Sequence, residues 1–250
     1  MNRSIEKILN NTCRGGYVEG IRLCRRALEG DRPMVLITPN AEMLSRAAKS
    51  SELSNLLRSG DVLFPDGIGI QLAMKRIGLR CTEKSCGIEL CTRLFNNLAT
   101  QKSPTRVFLL GGSPGIADKA AKKLSATYTG ICICGTHHGY FDIHGNANSE
   151  ITALINESRA ELLLVCMGFP RQEKWMFDNR HRLPSVRLMM GLGGSLDVWS
   201  GSIPRAPKAV RNMGLEWAYR AIKDPSRIAR LPYLAEFAAE LALPKSIKRR

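Results

Sequence analysis

The chain has 250 residues, of which 44% are hydrophobic and 24% charged, a composition that excludes collagen-like, low-complexity and wholly disordered proteins. No stretch of 18 consecutive apolar residues occurs, which excludes a membrane-spanning helix of ordinary length. There are 37 Lys and Arg against 22 Asp and Glu, and the net charge of +15 indicates an anionic partner, with solubility alone as the alternative.

Short apolar segments alternate with helical patterns up to residue 201. Six segments predict β-strands, at residues 34–38, 61–65, 106–112, 131–135, 161–168 and 186–191. The segments between and after them predict helices, at residues 41–60, 68–77, 88–99, 116–128, 149–157 and 172–182. Apolar strands that are each followed by a helix favour an α/β, Rossmann-like fold, with a mostly parallel sheet and helices on both of its faces.

The pattern changes after Gly201, because no further strand is predicted there. Helices are predicted at residues 209–223 and 228–241. Three residues shape the second of these helices, Asp224 and Pro225 as its start and Pro232 as a break or kink inside it.

Positive charge concentrates in this last part of the chain. Residues 205–250 contain eleven Lys and Arg against four Asp and Glu. An apolar stripe at residues 228, 231, 234, 238 and 241 accompanies the charge and suits an anionic membrane surface, with packing of the stripe on the core as the alternative. We therefore predict a Rossmann-like core at residues 1–201 and a basic, membrane-associating helical appendage at residues 202–250.

Polar and glycine residues follow five of the predicted strands. Because the carboxyl ends of parallel strands meet at one edge of a sheet, these residues should converge on one cleft. They are residues 38–40, 65–67, 111–115, 168–173 and 191–197.

One carboxylate stands out among them. Asp66 directly follows the second predicted strand and precedes Gly67, so it could act as a general base, bind a ribose, bind a metal ion, or merely cap the next helix. Asn40 has the same capping alternative. The glycine turns at residues 111–115 and 191–195 allow a phosphate to approach backbone N–H groups, with simple tight turns as the alternative.

Three of the four histidines, at 137, 138 and 144, lie near Cys132 and Cys134. A zinc site is one alternative, but the spacing matches no structural zinc pattern, so a ligand-contacting loop is the preferred interpretation. The eight cysteines form no CxxC pair, which favours reduced thiols in a cytoplasmic protein. HExxH and DxD patterns are missing, so zincins and DxD-type enzymes lack their signatures, and neither a metal nor a cofactor is expected.

Nine segments, taken in order, carry a family pattern. They read TPNAEML at 38–44, PDGIGI at 65–70, CGIEL at 86–90, VFLLGGSPG at 107–115, THHGYF at 136–141, MGFPRQEKWM at 167–176, GLGGSLDVWSG at 191–201, RAP at 205–207 and GLEWAYR at 214–220. The ordered set resembles the WecG/TagA/CpsF family of bacterial glycosyltransferases, glycosyltransferase family 26, over about four-fifths of the chain.

The resemblance implies an inverting transfer of N-acetylmannosamine or a related hexose from a UDP-sugar to a polyprenyl-diphosphate-linked saccharide, in bacterial surface polysaccharide synthesis. It also implies a peripheral position on the inner face of the cell membrane, with the appendage closing the site and contacting lipid. By the same resemblance, Asp66 stands where the family's proposed base stands, and Thr38, Asn40 and Gln172 stand at its polar pocket positions.

Two positions depart from the family pattern. Lys84 stands where the family usually has Arg, and Glu89 stands where it usually has Asp. Because Lys cannot bind a phosphate in the bidentate manner of Arg, the role of position 84 and the choice of acceptor stay open.

The other site residues are predicted from what such a transfer needs. Backbone N–H groups at Gly111 and Gly112 and several cations would stabilise the leaving diphosphate. The candidate cations are Arg171, Arg205, Arg220, Arg227 and Arg230. Asp197 and Tyr140 are assigned to the uridine or the ribose.

Three rival functions remain at this stage. A Rossmann-type nucleic-acid-binding protein fits the positive charge, but aromatic residues are only 6% and no RNA- or DNA-binding motif occurs, so no nucleic acid is expected as partner. A dehydrogenase or methyltransferase would need a GxGxxG-type turn after the first strand, where this chain reads TPNAE. A non-catalytic membrane scaffold is the third. The sugar, the acceptor and the oligomeric state stay open, with a homo-oligomer among the alternatives.

Overall fold

The computed structural model describes residues 1–207, 209–210, 216–223 and 225–242, and it leaves out the side chains of 217, 220, 221, 223 and 225–227. In this part of the chain six parallel strands form one sheet in the order β2-β1-β6-β5-β3-β4. The strands are β1 (Met34–Ile37), β2 (Val62–Leu63), β3 (Thr105–Gly111), β4 (Ile131–His137), β5 (Leu162–Cys166) and β6 (Leu188–Gly191). The predicted parallel sheet is confirmed.

Helices cover both faces of this sheet. They are α1 (Arg3–Asn10), α2 (Gly16–Leu28), α3 (Ala41–Lys49), α4 (Ser51–Arg58), α5 (Ile68–Arg76), α6 (Gly87–Leu98), α7 (Ile116–Thr127), α8 (Asn146–Glu157), α9 (Arg171–Asn179), α10 (Ser195–Ser200), α11 (Glu216–Lys223) and α12 (Leu231–Ala242). Short 3₁₀ segments at Arg180–Arg182 and Pro225–Arg230 follow α9 and precede α12. None of the described helices is long and apolar enough to cross a bilayer.

Alternate strand residues point to opposite faces, and each face has its own apolar core. Val35 and Ile37 pack with α1, α3, α4, α5, α8, α9 and α12, on what we call face A. Leu36 packs with α2, α6, α7 and α10, on face B. Strands buried on both sides explain the uninterrupted apolar runs in the sequence. Each large apolar side chain that they bury stabilises the fold by about 1.5–3 kcal/mol.

The predicted helix at residues 41–60 is wrong as a single element. Ser50 has an extended backbone, φ −137° and ψ 117°, which ends α3, and its side chain accepts a hydrogen bond from Leu53 N and so caps α4. Serine is a preferred N-cap residue because its hydroxyl satisfies an otherwise unpaired N–H of the first turn.

The predicted helix at residues 228–241 is divided next to Pro232, because residues 228–230 belong to a 3₁₀ segment. Helix α12 begins at Leu231, so Pro232 lies in its first turn, where no N–H is needed for an intrahelical bond. The predicted cap Asp224 lies outside the described residues.

Helix α12 packs on the core of face A through Phe237, which the predicted stripe did not include, and through Leu241, which it did. Phe237 is buried in the core of face A, whereas Ile228 and Leu231 of the stripe are exposed. An exposed ion pair also joins α12 to α3, with Lys49 Nζ 2.6 Å from Glu236 Oε1. The packing alternative therefore holds for α12, but with Phe237 as its anchor.

Replacing Phe237 with Ala should release α12 locally. The loss of one buried ring costs about 3–5 kcal/mol, which exceeds what the exposed contacts of a terminal helix can supply. Hydrogen exchange should speed up at residues 231–242 and stay unchanged in the strands. Leu231→Ala, in the same helix but exposed, serves as control, and equal exchange in both variants would contradict this role of Phe237.

Candidate functional site

The register of the sheet brings three strand ends together. Ile37 lies beside Leu63 on one side and Gly191 on the other, so the loops after β2, β1 and β6 leave the same edge next to each other. The loop after β2 is fixed to the loop after β1, because Asp66 N donates to Pro39 O at 2.9 Å.

The carboxylate of Asp66 lies at the start of helix α6. Gly87 N, in the first residue of that helix, donates to Asp66 Oδ1 at 3.1 Å. The first turn of a helix has N–H groups without intrahelical partners, and Asp66 accepts from one of them. Asp66 does not cap α5, whose N-cap is Gly67 with no side-chain hydrogen bond, so that alternative is wrong.

A second group contacts the same carboxylate. The thiol of Cys86 forms a hydrogen bond with Asp66, while Cys86 N donates to Tyr17 Oη at 3.0 Å. Burial, followed by the charges of Asp66 and Glu216, raises the pKa of the Cys86 thiol well above its ordinary value. The thiol therefore stays protonated and acts as a donor to Asp66.

The polar residues after β1 are bonded to the backbone. Thr38 is buried and donates from Oγ1 to Gly191 O at 2.8 Å, which ties β1 to β6 beyond the last ladder bond. Thr38 also packs on Gly87, where a Cβ would lie 2.7 Å from Thr38 Cγ2. Asn40 Oδ1 accepts from Met43 N at 3.1 Å, so the capping alternative for Asn40 is confirmed.

Gln172 joins two glycine loops of the same edge. Its Oε1 accepts from Gly168 N at 3.2 Å and from Gly193 N at 3.0 Å, and its Nε2 donates to Glu173 Oε1 at 2.8 Å. Glu173 is fully buried, and its Oε2 has no hydrogen-bond partner among the described residues. Burial raises the pKa of the Glu173 carboxyl to about 7, against smaller opposing effects of Gln172 and Arg46. Sequence reasoning missed Glu173, although it lies in the FPRQE segment.

The glycine turn after β3 serves close packing of strands. Gly111 has φ +143°, and a Cβ there would clash with the carbonyl of Cys166 in β5. Gly112 N donates to Cys166 O at 3.1 Å, so in this structure that N–H bonds to protein. The tight-turn alternative therefore accounts for Gly111 and Gly112 as the structure has them.

The loop after β4 forms a separate cluster. Arg171 donates to Gly139 O and Phe141 O, its guanidinium lies over the Phe141 ring, and Tyr140 between them is exposed. Strands β2 and β4 are opposite edges of the sheet, about 24 Å apart at ordinary strand spacing. The structure therefore does not bring Tyr140 and Arg171 together with Asp66. Asp197 lies between the two, in the first turn of α10 after the central strand β6.

Two C-terminal cations are fixed near the Asp66 edge. Arg205 Nη2 lies 2.9 Å from Glu89 Oε2 in the first turn of α6, and Arg93 Nε lies 3.5 Å from Glu89 Oε1. Burial alone would raise the pKa of Glu89, but Arg205 and Arg93 outweigh it and lower the pKa. Arg230 Nη1 lies 3.4 Å from Glu42 Oε2 in the first turn of α3.

The remaining predicted positions are not part of the arrangement around Asp66 that the structure describes. The side chains of Arg220 and Arg227 lie outside those that the structure describes. Lys84 is exposed, and its neighbour Ser85 fastens the segment to the Asp66 loop by donating to Pro65 O at 2.9 Å. Across the described ranges, no three His, Cys, Asp or Glu side chains are grouped so as to hold a metal ion.

Replacing Glu173 with Gln should change the pH dependence of stability. The pKa of Glu173 in the folded protein, about 7, exceeds the ordinary value of 4.5. The protonated carboxyl therefore makes its full contribution to the free energy of unfolding below pH 4.5, and this contribution is lost as the pH rises through 7. Gln is neutral at every pH. As the pH rises from 5 to 8, the free energy of unfolding of Glu173→Gln should therefore increase by about 1–3 kcal/mol relative to that of wild type.

Chemical denaturation at both pH values measures this difference. Glu157→Gln, at an exposed carboxylate of α8, is the control and should show no such gain. A difference between Glu173→Gln and wild type that stays constant with pH would contradict a raised pKa.

Comparison with protein families agrees with this architecture. A model described as the glycosyl transferase WecG/TagA/CpsF family matches residues 11–250, which is nearly the whole chain. The match includes all six described strands, the Asp66 loop, Gln172 and the C-terminal helices. This family carries out glycosyl transfer in polysaccharide synthesis. Because the match spans both the sheet and the residues at its carboxyl edge, the chain belongs to the WecG/TagA/CpsF family of glycosyltransferases.

Proposed function

We propose that the protein transfers N-acetylmannosamine or a related hexose, with inversion, from a UDP-sugar to a polyprenyl-diphosphate-linked saccharide at the inner face of the cell membrane. The observation that carries the proposal is the Asp66 carboxylate, which lies on the amino end of α6 at the edge where the loops after β1, β2 and β6 meet. Ligands of parallel α/β sheets bind at this edge.

Asp66 acts as the general base of this reaction. An acceptor hydroxyl oxygen forms a bond to the anomeric carbon, the bond from that carbon to the UDP oxygen breaks, and the hydroxyl proton passes to Asp66. The donors Gly87 N–H and Cys86 S–H both contact the carboxylate of Asp66 and hold it at the sheet edge. Both also fix its orientation, which a base within hydrogen-bond reach of one hydroxyl requires.

The leaving UDP gains negative charge and needs positive groups at the same edge. Helices α3, α5 and α6 all begin here, and the positive ends of their dipoles favour an anion. Arg230, in the segment that precedes α12, is close because it pairs with Glu42 in the first turn of α3. Arg220 and Arg227 belong to the same basic segment of the sequence and complete the proposed set of cations.

The lipid-linked acceptor requires contact with a membrane. Ile222 is 79% exposed, and Ile228 and Leu231 are exposed near it in sequence, beside the basic residues of the C-terminal segment. Exposed apolar side chains among cations suit an anionic bilayer, where each Lys or Arg near the surface contributes about 1 kcal/mol. These residues give the C-terminal segment its proposed membrane-binding face.

The variant Asp66→Asn should lose turnover while it keeps UDP binding. Removal of a general base typically costs about 10²–10⁴-fold in rate. Mass spectrometry of a short-chain prenyl-diphosphate saccharide, incubated with a panel of UDP-sugars, measures transfer and identifies the sugar, and calorimetry measures UDP binding. Asp178→Asn, at an exposed position of α9, is the control. Near-wild-type turnover by Asp66→Asn with intact UDP binding would show that Asp66 is not the base.

The membrane face predicts a specific loss of lipid binding. Changing Ile222, Ile228 and Leu231 together to Ser should abolish most flotation with phosphatidylglycerol-containing vesicles and cut activity on lipid-linked acceptor. Val18→Ser removes an equally exposed apolar side chain, 80% exposed in α2, and should leave flotation intact. Unchanged flotation of the triple variant would refute this face, and loss of flotation in Val18→Ser would move it to α2.

A further inference from the structure

The glycine loops after the two central strands of the sheet border open space. Gly168 follows β5 and Gly193 follows β6, and both have a positive φ, of +78° and +53°. No described atom lies within 4 Å of the point where a Cβ would stand at either position. Because ligands of parallel α/β sheets bind at this edge, a ligand has room to approach the backbone of both loops.

One side-chain oxygen holds these two loops together. Gln172 Oε1 accepts from Gly168 N at 3.2 Å and from Gly193 N at 3.0 Å. With two N–H donors in front of it, the Gln172 amide turns its oxygen toward the loops and its NH₂ group away from them. The NH₂ group then needs an acceptor inside the protein, because Gln172 is only 3% exposed.

Glu173 supplies that acceptor. Gln172 Nε2 donates to Glu173 Oε1 at 2.8 Å, and Glu173 is fully buried. The end of β6 closes the space on the other side of the amide, because a Cβ at Gly191 would lie 2.9 Å from Gln172 Nε2. The Gln172 amide is therefore held at both ends, by the loops at its oxygen and by Glu173 at its nitrogen.

The ordinary reasons for a carboxyl in the first turn of a helix do not account for Glu173. A glutamate there can bond the N-cap N–H, but the N-cap of α9 is Pro170, which has none. Arg46, whose charge acts on Glu173, donates to Glu42 Oε1 and to Phe169 O. A buried carboxyl with one oxygen unbonded makes a core less stable than an apolar side chain of similar size, so stability does not explain it.

We propose that Glu173 is a positioning residue, whose buried carboxyl fixes the Gln172 amide and so holds the glycine loops after β5 and β6 at the spacing that binds the UDP-sugar. The identity of this ligand rests on the proposed function. The positioning itself does not, because it can be measured on the two loop amides without any ligand.

Four variants and a control test this role. Glu173→Met removes the acceptor and keeps a side chain of similar length, whereas Glu173→Gln keeps an acceptor oxygen without the charge. Gln172→Met is made alone and together with Glu173→Met. Asn179→Ala is the control, because Asn179 is also buried in α9 but lies at its other end, where it bonds to Asn148 and Trp175.

Three measurements are made on each variant. NMR of protein labelled with ¹⁵N-glycine gives the hydrogen-exchange rates of the Gly168 and Gly193 amides. Calorimetry gives the affinity for UDP, and thermal denaturation gives the Tm. A purely structural role of Glu173 would change the Tm, whereas a positioning role changes the exchange rates and the affinity.

In Glu173→Met, both glycine amides should exchange about tenfold faster and UDP should bind about tenfold more weakly, because the buried NH₂ group of Gln172 loses its acceptor. The Tm should be no lower than that of wild type, since a buried carboxyl has been replaced by an apolar side chain. Glu173→Gln should stay within about threefold of wild type in both properties, because an acceptor oxygen remains.

The remaining variants show whether Glu173 acts through Gln172. Gln172→Met should produce the same changes as Glu173→Met, so the test does not depend on the folding of Glu173→Met. The double variant should lose no more than Gln172→Met alone. Asn179→Ala should lower the Tm and leave the glycine exchange and the UDP affinity within about twofold of wild type.

The outcomes separate the positioning role from the proposed reaction. Unchanged glycine exchange in Glu173→Met would overturn the proposal, as would faster exchange with an unchanged affinity for UDP. Equal losses in Glu173→Gln would assign the role to the charge and not to the acceptor, and additive losses in the double variant would separate Glu173 from Gln172; both results contradict the proposal. Faster exchange in Glu173→Met, without any UDP binding by wild type, would support the positioning role and contradict the proposed function.

Discussion

A single backbone amide, the N–H of Gly87, determines how the candidate site is assembled. It holds the carboxylate of Asp66, and the missing side chain of Gly87 leaves room for Thr38. The end of β1, the loop after β2 and the start of α6 are thereby fixed to one another. Because helix starts carry unpaired N–H groups, the start of α6 can supply the backbone donor that holds the Asp66 carboxylate.

The polar residues that the resemblance predicted for the site have structural partners in this chain. Thr38, Asn40 and Gln172 each bond a backbone group at the carboxyl edge, at Gly191, at Met43, and at Gly168 and Gly193. The Gln172 side-chain oxygen accepts hydrogen bonds from Gly168 N and Gly193 N, and so fixes the distance between their two loops. Such fixed backbone surrounds a ligand without reorganising when it binds, and that is the condition under which dipoles stabilise a developing charge best.

The fold could largely be predicted because its signals are local. Buried parallel strands give apolar runs, and each run ends in a polar or glycine turn that marks the carboxyl edge. The break at Ser50 could not, since helical patterns continue on both sides and only the cap geometry separates α3 from α4. Helix α2 was missed because glycines interrupt its pattern; Gly20 is needed where α2 packs closely on Phe64 and Leu90.

The site was predictable only in part, because its contacts join residues that are far apart in the sequence. Asp66 could be singled out because its position after a strand is a local property. Its contact with Gly87 joins residues 21 apart, and no periodicity reports such a pair. Arg171 was predicted only as a candidate cation, and its carbonyl partners in the loop after β4 could not be predicted because only the folded chain brings them to it.

The distribution of charge gives the last link between fold and reaction. The chain has a net charge of +15, and two of its cations, Arg205 and Arg230, lie at the first turns of α6 and α3 beside Asp66. Glu89 and Glu42 pair with these two cations and offset their charge. In the proposed reaction, the diphosphate of the donor brings its negative charge to cations that these ion pairs already hold in place. Because the orienting cost is met in the folded protein, less of the binding energy is needed to order the cations during transfer.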